Sequence, residues 1–268
     1  MRFIITGTPR AATRYAASLM RALDVPCTHE RVFRPQAALI DALRWYREAD
    51  SGESSWIAWA FLWALPARIP VFHTVRDPWK VIDSLAYRNQ IVSRDHPKTD
   101  HQRCQRDAVE TYCPRVAKQA TAVDRAACLL IDWNRMIEHA ADDCADVYVS
   151  YGVESMCAGD VAALLSGIGV ERTRDEIECA LDSVPRTSNQ GREIVHDVPI
   201  SHPGVEEYIK ARFPGVRMSV QRISPTTTSK TPRELADMMS PKLVDEVNEY
   251  ADRFGYDTVD APQAVESV

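Results

Sequence analysis

Glycine is scarce in this chain, with only 10 residues among 268. An all-β protein, which needs a tight turn every dozen or so positions, is disfavoured by that shortage. The seven cysteines contain no C-x-x-C pair, so neither a metal site nor a secreted disulfide framework is expected. Cys104 and Cys113 flank a polar segment and are close enough in sequence to pair, although solitary thiols are the simpler reading. The longest apolar run, Trp56 to Leu65, falls far short of the ~20 residues that span a bilayer. Met1-Arg2 leads straight into a strand-like run without a small-residue cleavage site, and a soluble, cytoplasmic protein is expected. A net charge of -6 argues against a dedicated nucleic-acid binder.

What remains is an ordinary globular composition, 45% hydrophobic and 26% charged, which suffices for one domain with a sizeable core. Charge is unevenly spread. Basic side chains outnumber acidic ones over residues 1–115, and the reverse holds over 116–268. A basic half inside an acidic chain points to a local anion site, with a plain preference for arginine as the alternative.

Along the chain, Arg2 to Thr6 reads as a buried strand ending at Gly7, and Tyr15, Leu19 and Leu23 then share a helical face. A short extended piece near Val25 to His29 precedes a helix over Gln36 to Glu48. A second helix is expected over Ser55 to Leu65, with Trp56, Trp59 and Trp63 on one face, either core or the wall of a pocket. Val71 to Val75 is a β-branched strand with a structural His73 inside it. A helix follows from Trp79 to about Ser93, with Pro78 in its first turn. Residues 94–115 look like an exposed polar excursion. A helix over Ala117 to His139 leads to a strand around Val147 to Val149, and Thr173 with Glu176 forms a capping box. From 185 to 231 the chain is rich in Pro, Ser, Thr and Arg, with one short helix near Val205 to Arg212, and reads as a lid or loop region. A closing helix spans 240–255, capped by Ser240 with Pro241 at its first position and stopped by Gly255. Strands alternating with helices give an α/β fold, a central parallel sheet flanked by helices, as a single domain over 1–268 with a C-terminal lid segment.

Gly7-Thr8-Pro9-Arg10-Ala11-Ala12-Thr13-Arg14 lies between the first strand and the first helix. Free N–H groups and the helix dipole make that turn a natural anion cradle. Against G-x-x-x-x-G-K-[ST], Gly7 fits, but Ala12, Thr13 and Arg14 replace the second glycine, the lysine and the magnesium hydroxyl. Magnesium-dependent phosphoryl transfer by the common route is disfavoured, and no metal is expected.

The run Pro9-Arg10-Ala11-Ala12-Thr13-Arg14-Tyr15 resembles the x-P-[KR]-S-G-T-T-[WY] loop of sulfotransferases that use 3'-phosphoadenosine 5'-phosphosulfate (PAPS). Their second signature, an arginine after a later strand with a serine eight positions on, is matched by Arg76 and Ser84. Thr28-His29-Glu30 resembles the branch with an acidic catalytic base, and Val153-Glu154 and Phe254-Gly255-Tyr256 are also familiar. The resemblance covers roughly residues 2–170 and 233–256. It departs from the family at Ala11, Ala12 and Arg14, which puts donor binding rather than the fold in question. It implies a three-layer P-loop-type fold and sulfuryl transfer to a hydroxyl or amine of a small-molecule or carbohydrate acceptor.

In that reading Arg10 stabilises the leaving 5'-phosphate, helped by the backbone of residues 10–14 and the Thr13 hydroxyl. Pro9, Ala11, Ala12 and Arg14 complete the loop, while Arg76 and Ser84 grip the 3'-phosphate. Glu30 is the general base and His29 its rival, since an imidazole already titrates near about 6.5. For Arg76 the alternative is an ion pair with a neighbouring carboxylate at the helix cap. Two other functions compete: a small-molecule P-loop kinase, and a catalytically silent nucleotide-binding module of the same fold.

Overall fold

The computed structural model describes residues 1–88, 90–94, 99–185 and 229–260. Within them, β1 (Ile4–Gly7), β2 (Cys27–His29), β3 (Gly52–Ser54), β4 (Ile69–Val75) and β5 (Ala145–Gly152) form one sheet in the order β2-β3-β1-β4-β5. Every neighbouring pair is parallel. Parallel pairing demands long crossovers. Helix α1 (Thr13–Ala22) joins β1 to β2, and α2 (Leu39–Glu48) joins β2 to β3. From β4 the chain runs through α3 (Pro78–Arg88), a 3-10 turn at Gln90–Val92, α4 (Asp100–Tyr112), α5 (Pro114–Ala117) and α6 (Ala122–Cys144) to β5. Helices α7 (Ala158–Ser166), α8 (Arg174–Ser183), α9 (Pro232–Ala236) and α10 (Pro241–Arg253) follow.

Successive strand residues point to opposite faces, and both faces are apolar and covered. Ile4, Val71 and Val75 pack with Trp133 and Leu129 of α6, Ile82 and Leu85 of α3, and Val247 of α10. Phe3, Ile5, Phe72 and Tyr151 pack with Tyr15 and Leu19 of α1, Leu164 of α7 and Ile177 of α8. The α/β class with a parallel sheet and flanking helices is therefore as the alternation of elements implies. No helix among the described residues is long and apolar enough to cross a membrane. All seven cysteines are free, Cys104 and Cys113 included.

Local structure departs from or adds to the sequence reading at several places, for physical reasons. Strand β3 escapes notice because Gly52-Glu53-Ser54 carries no apolar side chain; its pairing with β1 and β2 alone makes it a strand. Residues Ser55 to Leu65 do not form an α-helix with a tryptophan face. Ala58–Ala64 is a 3-10 helix, whose three-residue turn buries Trp59 and Leu62, while Trp56 is buried just before it and Trp63 is left 49% exposed. Trp56 and Trp59 lie on Trp133, with ring centroids 5.0 and 5.2 Å away, so they are core. The polar excursion at 94–115 is largely α4, started by a capping box between Thr99 and Gln102 and anchored by buried Val109 and Cys113. Ser240 stands at the N-cap of α10 without a side-chain cap bond, while Pro241 takes the first turn as expected. The Thr173–Glu176 capping box is present. The region expected as a lid, with its Val205 to Arg212 helix, falls at 186–228 outside the described residues; the chain re-enters beside α3, where the Lys230 N–H donates to Asp83 Oδ1 at 3.1 Å.

Gly7 ends β1 where β4 passes closest. A Cβ there would sit 2.2 Å from Thr74 Oγ1 and 2.6 Å from the Thr74 carbonyl oxygen. The hydroxyl could rotate, but the carbonyl belongs to the β4 ladder and cannot yield. Gly7→Ala is expected to cost about 3 kcal/mol, the upper range for overpacking, and to lower Tm by roughly 6–12 °C. Thermal unfolding followed by circular dichroism checks this, and a variant melting with the parent would contradict it.

Candidate functional site

Strand order decides where the crevice lies. The connection from β1 leads towards β2 on one side, and that from β4 leads to β5 on the other. Open α/β sheets bind ligands at the carboxyl ends of such neighbouring strands, where the chain departs in opposite directions. The residues from Pro9 to Arg14 follow β1, Arg76 follows β4 with Ser84 further along α3, and His29 and Glu30 lie at the end of β2.

The loop after β1 begins with a reverse turn. Ala11 N–H donates to the Thr8 carbonyl at 2.8 Å, with Pro9 and Arg10 at the two central positions. Arg10 has φ of 79°, the value a type II turn requires at its third residue, where glycine is usual. Ala12, the N-cap of α1, has φ of 63° and supplies no side-chain cap. Two non-glycine residues in left-handed conformation within three positions amount to strain, and strain of this kind gathers at functional loops. The loop thus takes left-handed backbone at Arg10 and Ala12 without a glycine. Pro9, Ala11, Ala12 and Thr13 are buried, and Arg14 projects from α1 into solvent.

Arg10, Ser84 and Arg76 come together, although strands β2, β3 and β4 lie between Arg10 and the other two in sequence. Arg10 Nε donates to Ser84 Oγ at 2.8 Å, and Arg76 Nη1 donates to the Arg10 carbonyl at 3.1 Å. Arg76 also pairs with Glu154, just past β5, at 3.4 Å. The Glu154 carboxylate in turn accepts the Asp77 N–H at 3.3 Å and the Tyr256 hydroxyl at 2.9 Å. Burial, with Glu154 beside it, keeps the Tyr256 pKa above its ordinary value, so the phenol stays a donor. Asp77 caps α3 by accepting the Trp79 N–H at 3.0 Å, and Lys80 closes on Asp77 at 3.1 Å. Arg76 thus joins the loop residues and, as its alternative reading expects, pairs with a carboxylate at the helix start. Glu154 and Tyr256 carried no assigned role in the sequence, because only the fold brings a strand end and a C-terminal segment to Arg76.

The second group lies past β2. Glu30 N–H extends the ladder to the Ser54 carbonyl at 3.0 Å, and a φ of 49° at Glu30 then turns the chain. His29 Nε2 lies 3.3 Å from the Thr13 hydroxyl and 3.7 Å from Glu30 Oε1. Burial, aided by the charges of Arg14 and Arg21, pushes the His29 pKa down to about 4. A neutral, weakly basic imidazole is the consequence. Glu30 moves the other way, since burial and then the nearby Glu53 raise its pKa, with Arg14 opposing. Of the two candidates, Glu30 is therefore the better proton acceptor near neutral pH.

Glu53 was missed because β3 itself was missed. Its carboxylate accepts the N–H groups of Arg31 and Val32 at 2.7 and 3.0 Å and the Thr28 hydroxyl. It thereby fixes the turn that carries Glu30. A buried chain likewise supports the β1 loop. Tyr148 lies 2.8 Å from His73 Nδ1, His73 Nε2 lies 2.6 Å from Asn134 Oδ1, and Asn134 Nδ2 donates to the Thr8 hydroxyl at 2.7 Å. Burial lowers the His73 pKa to about 4, so its ring is neutral and structural, as its place inside a strand implies.

Compared with protein-family models, with curated proteins and with solved structures, the chain matches none. The site therefore rests on its own chemistry.

The Glu30 carboxyl is expected to titrate above the ordinary glutamate range, and Glu53→Gln to lower its midpoint by removing the neighbouring negative charge. Carboxyl-carbon NMR across pH 3–8 measures both. An ordinary midpoint, or one unmoved by Glu53→Gln, would contradict this electrostatic picture.

Proposed function

We propose that this protein is a sulfotransferase built on a three-layer P-loop-type fold, moving a sulfuryl group from PAPS to a hydroxyl or amine. The observation that carries the reading is the meeting of Arg10, Ser84 and Arg76 at the ends of β1 and β4. These are the residues that the two donor-binding signatures single out, and nothing in either signature alone requires them to touch. Their position at the strand-end crevice is what an in-line transfer between two anionic groups would use, and Glu30, at the end of β2, connects to the β1 loop through His29 and Thr13.

PAPS supplies an activated sulfuryl group, whose sulfur–oxygen bond to the 5'-phosphate breaks as the acceptor oxygen or nitrogen bonds to sulfur. Glu30 takes the acceptor's proton. Arg10, with the N–H groups at the start of α1, faces the charge that grows on the departing phosphate. Arg76 and Ser84 hold the 3'-phosphate, for which Arg76 must exchange Glu154 for a phosphate oxygen. Arginine suits that task because its planar fork matches phosphate oxygens. Thr13 steadies the loop through His29. The left-handed Ala12 gives the loop its turn without glycine, so this departure from the family pattern does not by itself favour a silent module.

The test is calorimetric titration with 3'-phosphoadenosine 5'-phosphate against AMP, without metal. Binding is expected to prefer the 3'-phosphate, and Arg76→Ala to weaken it about 10- to 100-fold, the worth of hydrogen bonds to a charged group. Equal affinity for the two nucleotides would overturn the donor assignment. With an acceptor in hand, Glu30→Gln is expected to cut turnover about 10²- to 10⁴-fold, the usual contribution of a general base, while leaving nucleotide binding intact. Turnover retained in Glu30→Gln would remove Glu30 from that role.

A further inference from the structure

Four polar side chains form a line from β5 to the loop after β1. Tyr148 is half-buried, His73 and Thr8 are fully buried, and Asn134 of α6 is 1% exposed. The sense of each hydrogen bond follows from one fixed end. Asn134 Nδ2 lies 2.6 Å from the Leu130 carbonyl as well as 2.7 Å from the Thr8 hydroxyl. A carbonyl only accepts, so the amide turns its NH2 group to Leu130 and Thr8 and its oxygen to His73. That oxygen, 2.6 Å from His73 Nε2, requires a proton on Nε2. A neutral imidazole carries one proton, which leaves Nδ1 to accept from the Tyr148 hydroxyl at 2.8 Å. Burial keeps the ring neutral, with the Asn134 bond opposing and Arg253 assisting. Tyr148 thus donates to His73, His73 to Asn134, and Asn134 to Thr8.

Thr8 is where this line meets the candidate site. Its carbonyl accepts the Ala11 N–H at 2.8 Å and so closes the turn that carries Arg10. Left-handed backbone at Arg10 and Ala12 is costly for residues with a Cβ, and it persists only where the surroundings over-determine it. Beyond Thr8, Arg76 holds the Arg10 carbonyl, and the Ser54 hydroxyl donates to the Thr13 carbonyl at 2.7 Å. At Thr8 itself, the side chain has one hydrogen bond among the described residues, the one from Asn134.

We propose that His73 and Asn134 are positioning residues for the β1 loop: the His73 tautomer fixes the Asn134 amide, and the amide anchors Thr8 so that the strained turn keeps Arg10 against Ser84. The other tautomer would set Nε2 and the Asn134 oxygen lone pair to lone pair. Rotating the amide to avoid that would press its oxygen against the Leu130 carbonyl. The buried line therefore has one low-energy arrangement, and its last bond falls on the loop. This anchoring is independent of the sulfotransferase reading; its effect on nucleotide affinity rests on that reading.

The experiment is NMR on the full chain. Nitrogen-15 shifts of His73 near neutral pH are expected to show the Nε2–H tautomer; an Nδ1–H tautomer or a charged ring would overturn the proposal, and this arm needs no variant to fold. Amide hydrogen exchange then reads the turn. Thr8→Val is expected to speed exchange of the Ala11 N–H about tenfold, the worth of a lost hydrogen bond to a buried donor. Thr8→Ser restores the parent rate, and the Ser55 N–H, bonded to the Ile5 carbonyl outside the loop, keeps its rate throughout. His73→Gln, which keeps a donor where Nε2 stands, is expected to leave Ala11 slow, and His73→Leu to speed it. Ala11 exchange unmoved in Thr8→Val, or equal in His73→Gln and His73→Leu, would overturn the proposal. Affinity for 3'-phosphoadenosine 5'-phosphate is expected to fall about tenfold in Thr8→Val and to return in Thr8→Ser. A parent that binds no nucleotide would count against the sulfotransferase reading alone, whereas parent-like affinity in Thr8→Val would remove the positioning role.

Discussion

The contact of β1 with β4 at Gly7 governs the rest of the site. Because Gly7 has no side chain, the Thr74 hydroxyl and carbonyl occupy the space beside it, and the Thr74 hydroxyl donates to the Thr6 carbonyl at 3.2 Å. The two strands therefore end level and close together, in a four-residue register from Ile4 opposite Val71 to Gly7 opposite Thr74. Everything that follows each strand inherits this spacing. The turn at Pro9-Arg10 and the start of α3 at Arg76-Asp77-Pro78 emerge side by side, so that Arg76 reaches the Arg10 carbonyl and Arg10 reaches Ser84 on α3. A wider sheet at this point would part them.

The site balances opposing demands on a few charges. Arg76 and Lys80 face Glu154 and Asp77, and both carboxylates also serve the N-terminus of α3. An arrangement of this kind keeps the arginines ordered before any ligand arrives, which lowers the entropic cost of binding. The same arrangement would set a toll on the nucleotide binding proposed above, because the phosphate would have to displace Glu154 from Arg76. Across the crevice, Glu30 is held high and His29 low by one shared cause, burial, with Arg14 acting on both. Two adjacent titratable groups pushed apart in this way leave Glu30 the more basic of the pair.

Much of the architecture was legible from apolar runs alone. β1, β4 and β5 are β-branched or aromatic enough to announce themselves, and α1, α6 and α10 show clear helical faces. What was hidden has a common physical origin. β3 is a strand by pairing on both edges, not by its side chains, and with it went Glu53, the residue that shapes the Glu30 turn. Trp56 and Trp59 are buried as core, but the helical spacing was misleading because a 3-10 helix buries Trp59 and Leu62 and turns Trp63 out. For the site, the residues after β1, β2 and β4 could be named from sequence. Glu154 and Tyr256 gained a role only when three distant segments met at one guanidinium.

The most direct measurement is a crystal structure of the complex with 3'-phosphoadenosine 5'-phosphate. The account predicts the 3'-phosphate within hydrogen-bonding distance of Arg76 and Ser84, Arg76 released from Glu154, and the 5'-phosphate against Arg10 and the first turn of α1. A nucleotide seated elsewhere, or one bound with the Arg76–Glu154 pair intact and its 3'-phosphate in solvent, would contradict it.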